Sequence, residues 1–134
     1  MSIYLDSSAF LKLYLDEPDG EHAEDMLVAG GEWVTGRHTA VEVRRNLSRA
    51  LVGSELVAAQ RQFRRDWENT AVADLTEEVC EVAAQFAELT GVRSLDALHL
   101  AAAKVIGSGA FPIVTFDLRQ AQAARSLGWV VLGS

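Results

Sequence analysis

The sequence predicts an α/β fold, a three-layer α/β/α domain around a central parallel sheet, with residues 1–134 forming a single domain. Three observations predict it. Short apolar runs alternate with amphipathic helical segments along the whole chain, and strands separated by helices favour parallel pairing with helices on both faces. Two of those runs end in an aspartate at the point where a helical pattern begins. A length of 134 residues with 49% hydrophobic content is enough for one continuous core.

The elements follow in order. SIYLD is a short apolar run closed by Asp6, and AFLKLYL after it has helical spacing. A break at EPDG precedes a helix around Glu21 to Val28, and Gly30-Gly31 leads into the strand EWVT. TAVEVRRNLSRALV is helical, with Val41, Leu47 and Leu51 near one stripe and Arg44, Arg45 and Arg49 toward another side. Gly53 and Ser54 separate it from ELVAAQRQFRRDWEN, so the two helices form a hairpin. AVADL is a short strand, and Thr76, with Glu78 in the first turn, starts an amphipathic helix that runs to Gly91. SLDALHLAAAKVI reads as a helix with Ser94 as N-cap and Gly107 and Gly109 at its end. PIVTF is a buried strand with Asp117 just past it, LRQAQAARSL the last helix and WVVL the last strand.

Composition narrows the class. Charged residues make up 23% and prolines number 2, which excludes a disordered tail or a fibre. The single Cys80, in EEVCEVAAQFAEL, is expected on a buried helical face, with no second thiol to bridge and no ligand spacing around it. No basic leader and no long apolar stretch occur, so the expectation is a soluble, cytoplasmic protein. The net charge of −7 is segregated: residues 37–65 carry seven arginines against Glu42 and Glu55, a balance of +5, and the remainder carries −12. Such a basic hairpin is either a solvated face or a guide for a polyanion, and the sequence leaves both open.

Four acids attract attention by position. Asp6 and Asp117 stand at the carboxyl ends of strands, where ligands bind in open parallel sheets, although capping of the following helix explains either one alone. Asp96 lies in a first helical turn, where the dipole favours a carboxylate. Glu42 precedes Arg45 by three residues, so a surface ion pair explains it singly. Converging at one place, the four would repel unless cations intervened, and a hard divalent ion such as Mg2+ or Mn2+ suits an oxygen-only set. Zinc is not expected, because His22, His38 and His99 show no ligand spacing among them. His99 reads as a packed, hydrogen-bonded histidine, and Lys12 as a surface cation lying along its helix.

These segments resemble the PIN-domain nucleases, and within them the VapC toxins of toxin-antitoxin pairs. YLDSSAFLKLYLDE is similar to the family's opening strand and first acid, and TAVEVRRNLSRAL to its Glu-bearing helix. RSLDALHLAAA is similar to the third-acid helix, and IVTFDLRQAQAARSLGWVVL to the closing strand, fourth acid, helix and strand. The resemblance implies a PIN-like domain whose catalytic acids are Asp6, Glu42, Asp96 and Asp117. It implies Mg2+ or Mn2+ held by Asp6, Asp96 and Asp117, with Ser8 and Thr115 as supporting hydroxyls. Ser7 stands where many relatives carry threonine. Implied as well are endoribonuclease activity on a structured cellular RNA (a transfer or ribosomal RNA), a cognate VapB-like antitoxin, and a homodimer. In the family the basic hairpin commonly meets the antitoxin, for which Phe63 and Trp67 are candidate anchors. Arg93, three residues before Asp96, is a candidate phosphate contact or a partner of a nearby acid.

Two other readings compete. A receiver-like magnesium phosphoaspartate protein would need a lysine after a late strand, whereas Asp117 is followed by Arg119 and the chain's lysines are Lys12 and Lys104. A catalytically silent binding module of the same fold would have no need of all four acids.

Overall fold

A computed structural model describes residues 1–107 and 110–134. It contains five parallel strands, β1 (Ser2–Leu5), β2 (Glu32–Gly36), β3 (Ala71–Ala73), β4 (Ile113–Val114) and β5 (Val131–Leu132), in the order β3-β2-β1-β4-β5. The helices are α1 (Ser7–Leu11), α2 (Gly20–Ala29), α3 (Thr39–Ala50), α4 (Gly53–Glu68), α5 (Glu77–Thr90), α6 (Ser94–Gly107) and α7 (Leu118–Ser126). The chain runs outward from β1 to β3, then returns to β4 on the other side of β1, which makes the β1/β4 gap the topological switch point.

Alternation along the strands creates the three layers. In β1, Ile3 and Leu5 enter one core with Phe10 of α1, Leu27 of α2, Val43 and Leu47 of α3, and Phe63 of α4. Tyr4, between them, faces the other core with Leu100 of α6, Ala124 of α7 and Trp129. Val114 and Ile113 of β4 divide in the same way. Small residues let α5 and α6 approach closely, with Val79 and Ala83 against Ala97 and Ala101. The first four helices therefore cover one face and the last three the other.

Local chemistry sets the boundaries. Thr76 caps α5 by accepting from the Val79 amide at 3.2 Å, and Gly91 ends it with φ 74°, a conformation that favours glycine. The helical pattern after Asp6 breaks early: beyond Leu11 the amides of Leu13 and Tyr14 bond to Phe10 and Leu11, three residues back, and the helix tightens into turns. Ser94 is the first helical residue of α6, one position inside the expected cap, and Gly107 is its last; Gly109 lies outside the described residues.

Two expected core positions are exposed. The buried stripe of α3 is Thr39, Val43 and Leu47, an i, i+4, i+8 row, and Val41 is 70% exposed half a turn away. In α5 the row is Val79 and Ala83, which leaves Cys80 in solvent. Among the described residues no helix is long and apolar enough to cross a membrane.

Candidate active site

Asp6 is one residue beyond β1, and its extended backbone makes it the N-cap of α1. Its Oδ1 accepts from the Ala9 amide at 3.0 Å and the Ser8 hydroxyl at 2.6 Å, and its Oδ2 accepts from the Thr115 hydroxyl. Ser8 Oγ in turn accepts from the Phe116 amide at 2.9 Å, and Thr115 Oγ1 from the Asp117 amide at 3.1 Å. The expected supporting hydroxyls thus knit the end of β1 to the end of β4. Asp117 caps α7, its Oδ1 accepting from the amides of Arg119 and Gln120 at 2.9 and 3.1 Å. Both strand-end aspartates are helix caps and both also line the same cleft, so capping does not withdraw either from it.

Asp96 enters from the first turn of α6. Arg93, 70% exposed, lies 3.6 Å from Asp96 through Nε and 3.9 Å from Asp117 through a terminal nitrogen, and so bridges the two acids loosely. Glu42 comes from the first turn of α3, and its partner is not Arg45. Its Oε1 accepts from Ser7 at 2.7 Å and lies 2.8 Å from His99 Nε2. The cleft that holds Asp6, Glu42, Asp96 and Asp117 measures about 650 Å³ and is also lined by Arg45, Arg93 and His99. A second cleft of about 520 Å³ shares Arg93 and Asp96 and adds Arg119. Lys12 lies outside the acid cleft, ion-paired with Glu17 and with Asp19 at 2.8 Å and lying over the Phe116 ring.

The sequence matches the PIN domain family over residues 3–126. The chain belongs to that family. Within it, this PIN domain is 30% identical over 131 residues to Ribonuclease VapC45 of Mycobacterium tuberculosis, an alignment covering 94% of the chain and 91% of the relative. Its fold matches the crystal structure of M. tuberculosis VapC20, a toxin described as cleaving the Sarcin-Ricin loop, with a TM-score of 0.75 at 20% identity over 96% of each chain. It also matches a toxin-antitoxin complex from Klebsiella pneumoniae with a TM-score of 0.68 at 14% identity over 86% of each chain.

The electrostatics of this PIN domain divide its acids. Burial, with Asp6 only 4% exposed, pushes the Asp6 carboxyl above the usual carboxylate range, and hydrogen bonds from Ser8, Thr115 and Ala9 offset only part of that. Asp96 is also raised, first by burial and then by the negative charge of Asp117. Glu42 shifts the other way: burial raises it, but His99 and Ser7 more than compensate and its pKa is lowered. Elevated acids facing one another across an open cleft suit a hard cation, which would relieve both desolvation and repulsion.

Three buried polar residues make contacts that the sequence pattern does not show. His99 is buried and hydrogen-bonded as expected, but its bonds are to the site: Nε2 to Glu42, and Nδ1 to the Tyr4 hydroxyl at 2.8 Å. His38, far from His99 in sequence, lies against it with ring centroids 4.1 Å apart, so two histidines without ligand spacing meet through the fold. Gln120, fully buried, donates to the Asp96 carbonyl at 3.1 Å and ties α7 to the start of α6. Its helix LRQAQAARS gave one usable signal, a glutamine on the buried alanine face.

Proposed function

We propose that this chain is a divalent-metal-dependent endoribonuclease and the toxin of a type II toxin-antitoxin pair, cutting a structured cellular RNA such as a tRNA or rRNA. The observation that carries the reading is the convergence of Asp6, Glu42, Asp96 and Asp117, from four separate junctions of the chain, on one open cleft at the switch point of a parallel sheet. Membership of a family whose relatives are named ribonucleases supports the same chemistry.

Asp6, Asp96 and Asp117 are the carboxylates placed to hold Mg2+ or Mn2+. Such an ion, when bound there, makes water a better nucleophile and neutralises charge on a phosphate. The protein's own contributions are distinct. Ser8 and Thr115 fix the Asp6 carboxylate from two sides, so its orientation is set before any ion arrives. Ser7 and His99 hold Glu42 Oε1 at the rim of the cleft, where the carboxylate can accept a proton from an attacking water. Arg93, exposed and only loosely engaged with two acids, is free to turn toward a phosphate, and Arg45 and Arg119 extend positive charge to either side.

A VapB-like antitoxin is the expected partner, supported by the toxin-antitoxin complex among the matching folds. A groove of about 340 Å³ between α3 and α4, lined by Arg44, Arg64, Phe63 and Trp67, offers apolar surface framed by arginines for it. Phe63 is itself a core residue, packed edge-on against Phe10 at 5.7 Å, so it shapes the groove floor more than it projects from it. A homodimer completes the reading.

The test is cleavage of total RNA by the purified protein with Mg2+ or Mn2+, with EDTA, Asp6→Asn and Asp96→Asn as controls. Discrete fragments that require both metal and acids are expected. Intact RNA from folded, antitoxin-free protein under every metal would favour the silent binding module.

A further inference from the structure

We propose that His38, Glu42 and His99 form a second metal site, distinct from the Asp6, Asp96 and Asp117 set, that takes one borderline transition-metal ion of the Zn2+ type. The proposal does not depend on the chain cutting RNA. One ligand atom from each of the three residues lies within 4.8 Å of the others. His38 Nε2 is 3.8 Å and His99 Nε2 2.8 Å from the same Glu42 oxygen. Donors around a four-coordinate zinc stand about 3.3 Å apart, as follows from its bond lengths, so the two separations bracket the required value.

His38 supplies the independent observation. It is only 6% exposed, and among the described residues neither ring nitrogen has a hydrogen-bond partner, an arrangement that ordinarily destabilises a fold. The Leu95 carbonyl lies near the ring without forming that bond. His38 occupies the N-cap position of α3, yet its side chain caps nothing, and Glu42 follows one helical turn later on the same face. The ring is accommodated deliberately: a Cβ at Gly36, the last residue of β2, would lie 2.7 Å from His38 Cε1 and 2.9 Å from Nδ1.

His99 has the second feature of a metal-binding histidine. Its far nitrogen, Nδ1, is held by the buried Tyr4 hydroxyl at 2.8 Å, which fixes the ring with Nε2 toward Glu42. A neutral imidazole that ligates through Nε2 carries its proton on Nδ1, where the Tyr4 oxygen can accept it, so the ion takes the place of the Nε2–Glu42 hydrogen bond. Two imidazoles and one carboxylate prefer zinc, cobalt or nickel over magnesium, so the two neighbouring sites differ in the class of metal they select. Glu42 belongs to the rim of the acid cleft as well, so an ion here would hold that carboxylate away from other work.

The experiment adds Co2+ to the EDTA-treated full-length protein and records its visible spectrum, then titrates Zn2+ calorimetrically into wild type, His38→Ala, Tyr4→Phe and Asp96→Asn. Intense four-coordinate cobalt bands and one equivalent of zinc are expected. His38→Ala should weaken zinc by more than about a hundredfold and Tyr4→Phe by about tenfold, with Asp96→Asn unchanged. Weak six-coordinate bands, zinc binding indifferent to His38→Ala, or binding lost in Asp96→Asn would overturn the proposal. If the His38 variant does not fold, the wild-type cobalt spectrum decides alone.

Discussion

The acid cleft and the histidine pocket lie side by side at the carboxyl ends of the strands and share Glu42, yet they handle buried polarity in opposite ways. In the cleft, carboxylates face one another with hydroxyls and backbone amides as donors, and both Asp6 and Asp96 are pushed toward their neutral forms. In the pocket, Glu42 is held ionised by His99 and Ser7, while burial drives His38 down to about 4 and keeps its imidazole neutral. One region holds carboxyls whose charged forms are disfavoured by burial. The other stores unprotonated nitrogen. The difference shows that one sheet end can group oxygen donors and nitrogen donors separately around a shared carboxylate.

The sharpest way to break the comparison is to neutralise the acids. Asp6→Asn or Asp96→Asn should lower metal-dependent RNA cleavage by about 10²-fold or more while the far-ultraviolet circular dichroism stays that of the folded protein. A loss of fold instead would mean that these carboxylates serve structure, Asp6 as a cap and Asp96 in the first turn of α6, and little else. Next, His99→Ala removes a partner from both Tyr4 and Glu42 and opens a void, and should cost at least about 1–3 kcal/mol by urea unfolding. Thr115→Val strips Asp6 Oδ2 of its donor and should cost about 1 kcal/mol.

The pH dependence sharpens the comparison further. Asp6 and Asp96 have raised folded pKa values, so in metal-free protein their contribution to stability is present when they are protonated and is lost as pH rises through those values. Glu42 is lowered, so its contribution is present above the unfolded carboxylate pKa and disappears as pH falls through the folded one. Urea unfolding of metal-free wild type and Asp96→Asn across mildly acidic pH should show the variant gaining less on acidification. The smallest effect belongs to Cys80→Ser, which alters an exposed side chain and should stay within about 0.5 kcal/mol of wild type.

Much of this was legible before the structure. Strand and helix alternation carried the parallel three-layer class, because period and punctuation are local. Asp6 and Asp117 were visible for the same reason: a strand end meeting a helix start is written in consecutive residues. Cys80 and Val41 were misplaced because one residue of rotation about a helix moves a side chain by about 100°, and short apolar patterns do not fix that phase. The histidine pocket was hidden altogether. His38 stands just before α3 and His99 within α6, and only the packing of α6 across β2, with Gly36 vacated beneath the ring, brings them together. Spacing rules find ligands on one element and cannot find ligands assembled by topology. Glu42, plausible alone as a surface ion pair, acquired its partners in the same non-local way.

Whether the acid cleft holds the hard cation of a ribonuclease is decided by soaking crystals of the protein with Mn2+ and locating the ion by anomalous scattering. Manganese is expected among Asp6, Asp96 and Asp117, and is expected to be lost in Asp96→Asn. Manganese at His38 and His99 alone, or at neither place, would contradict that expectation.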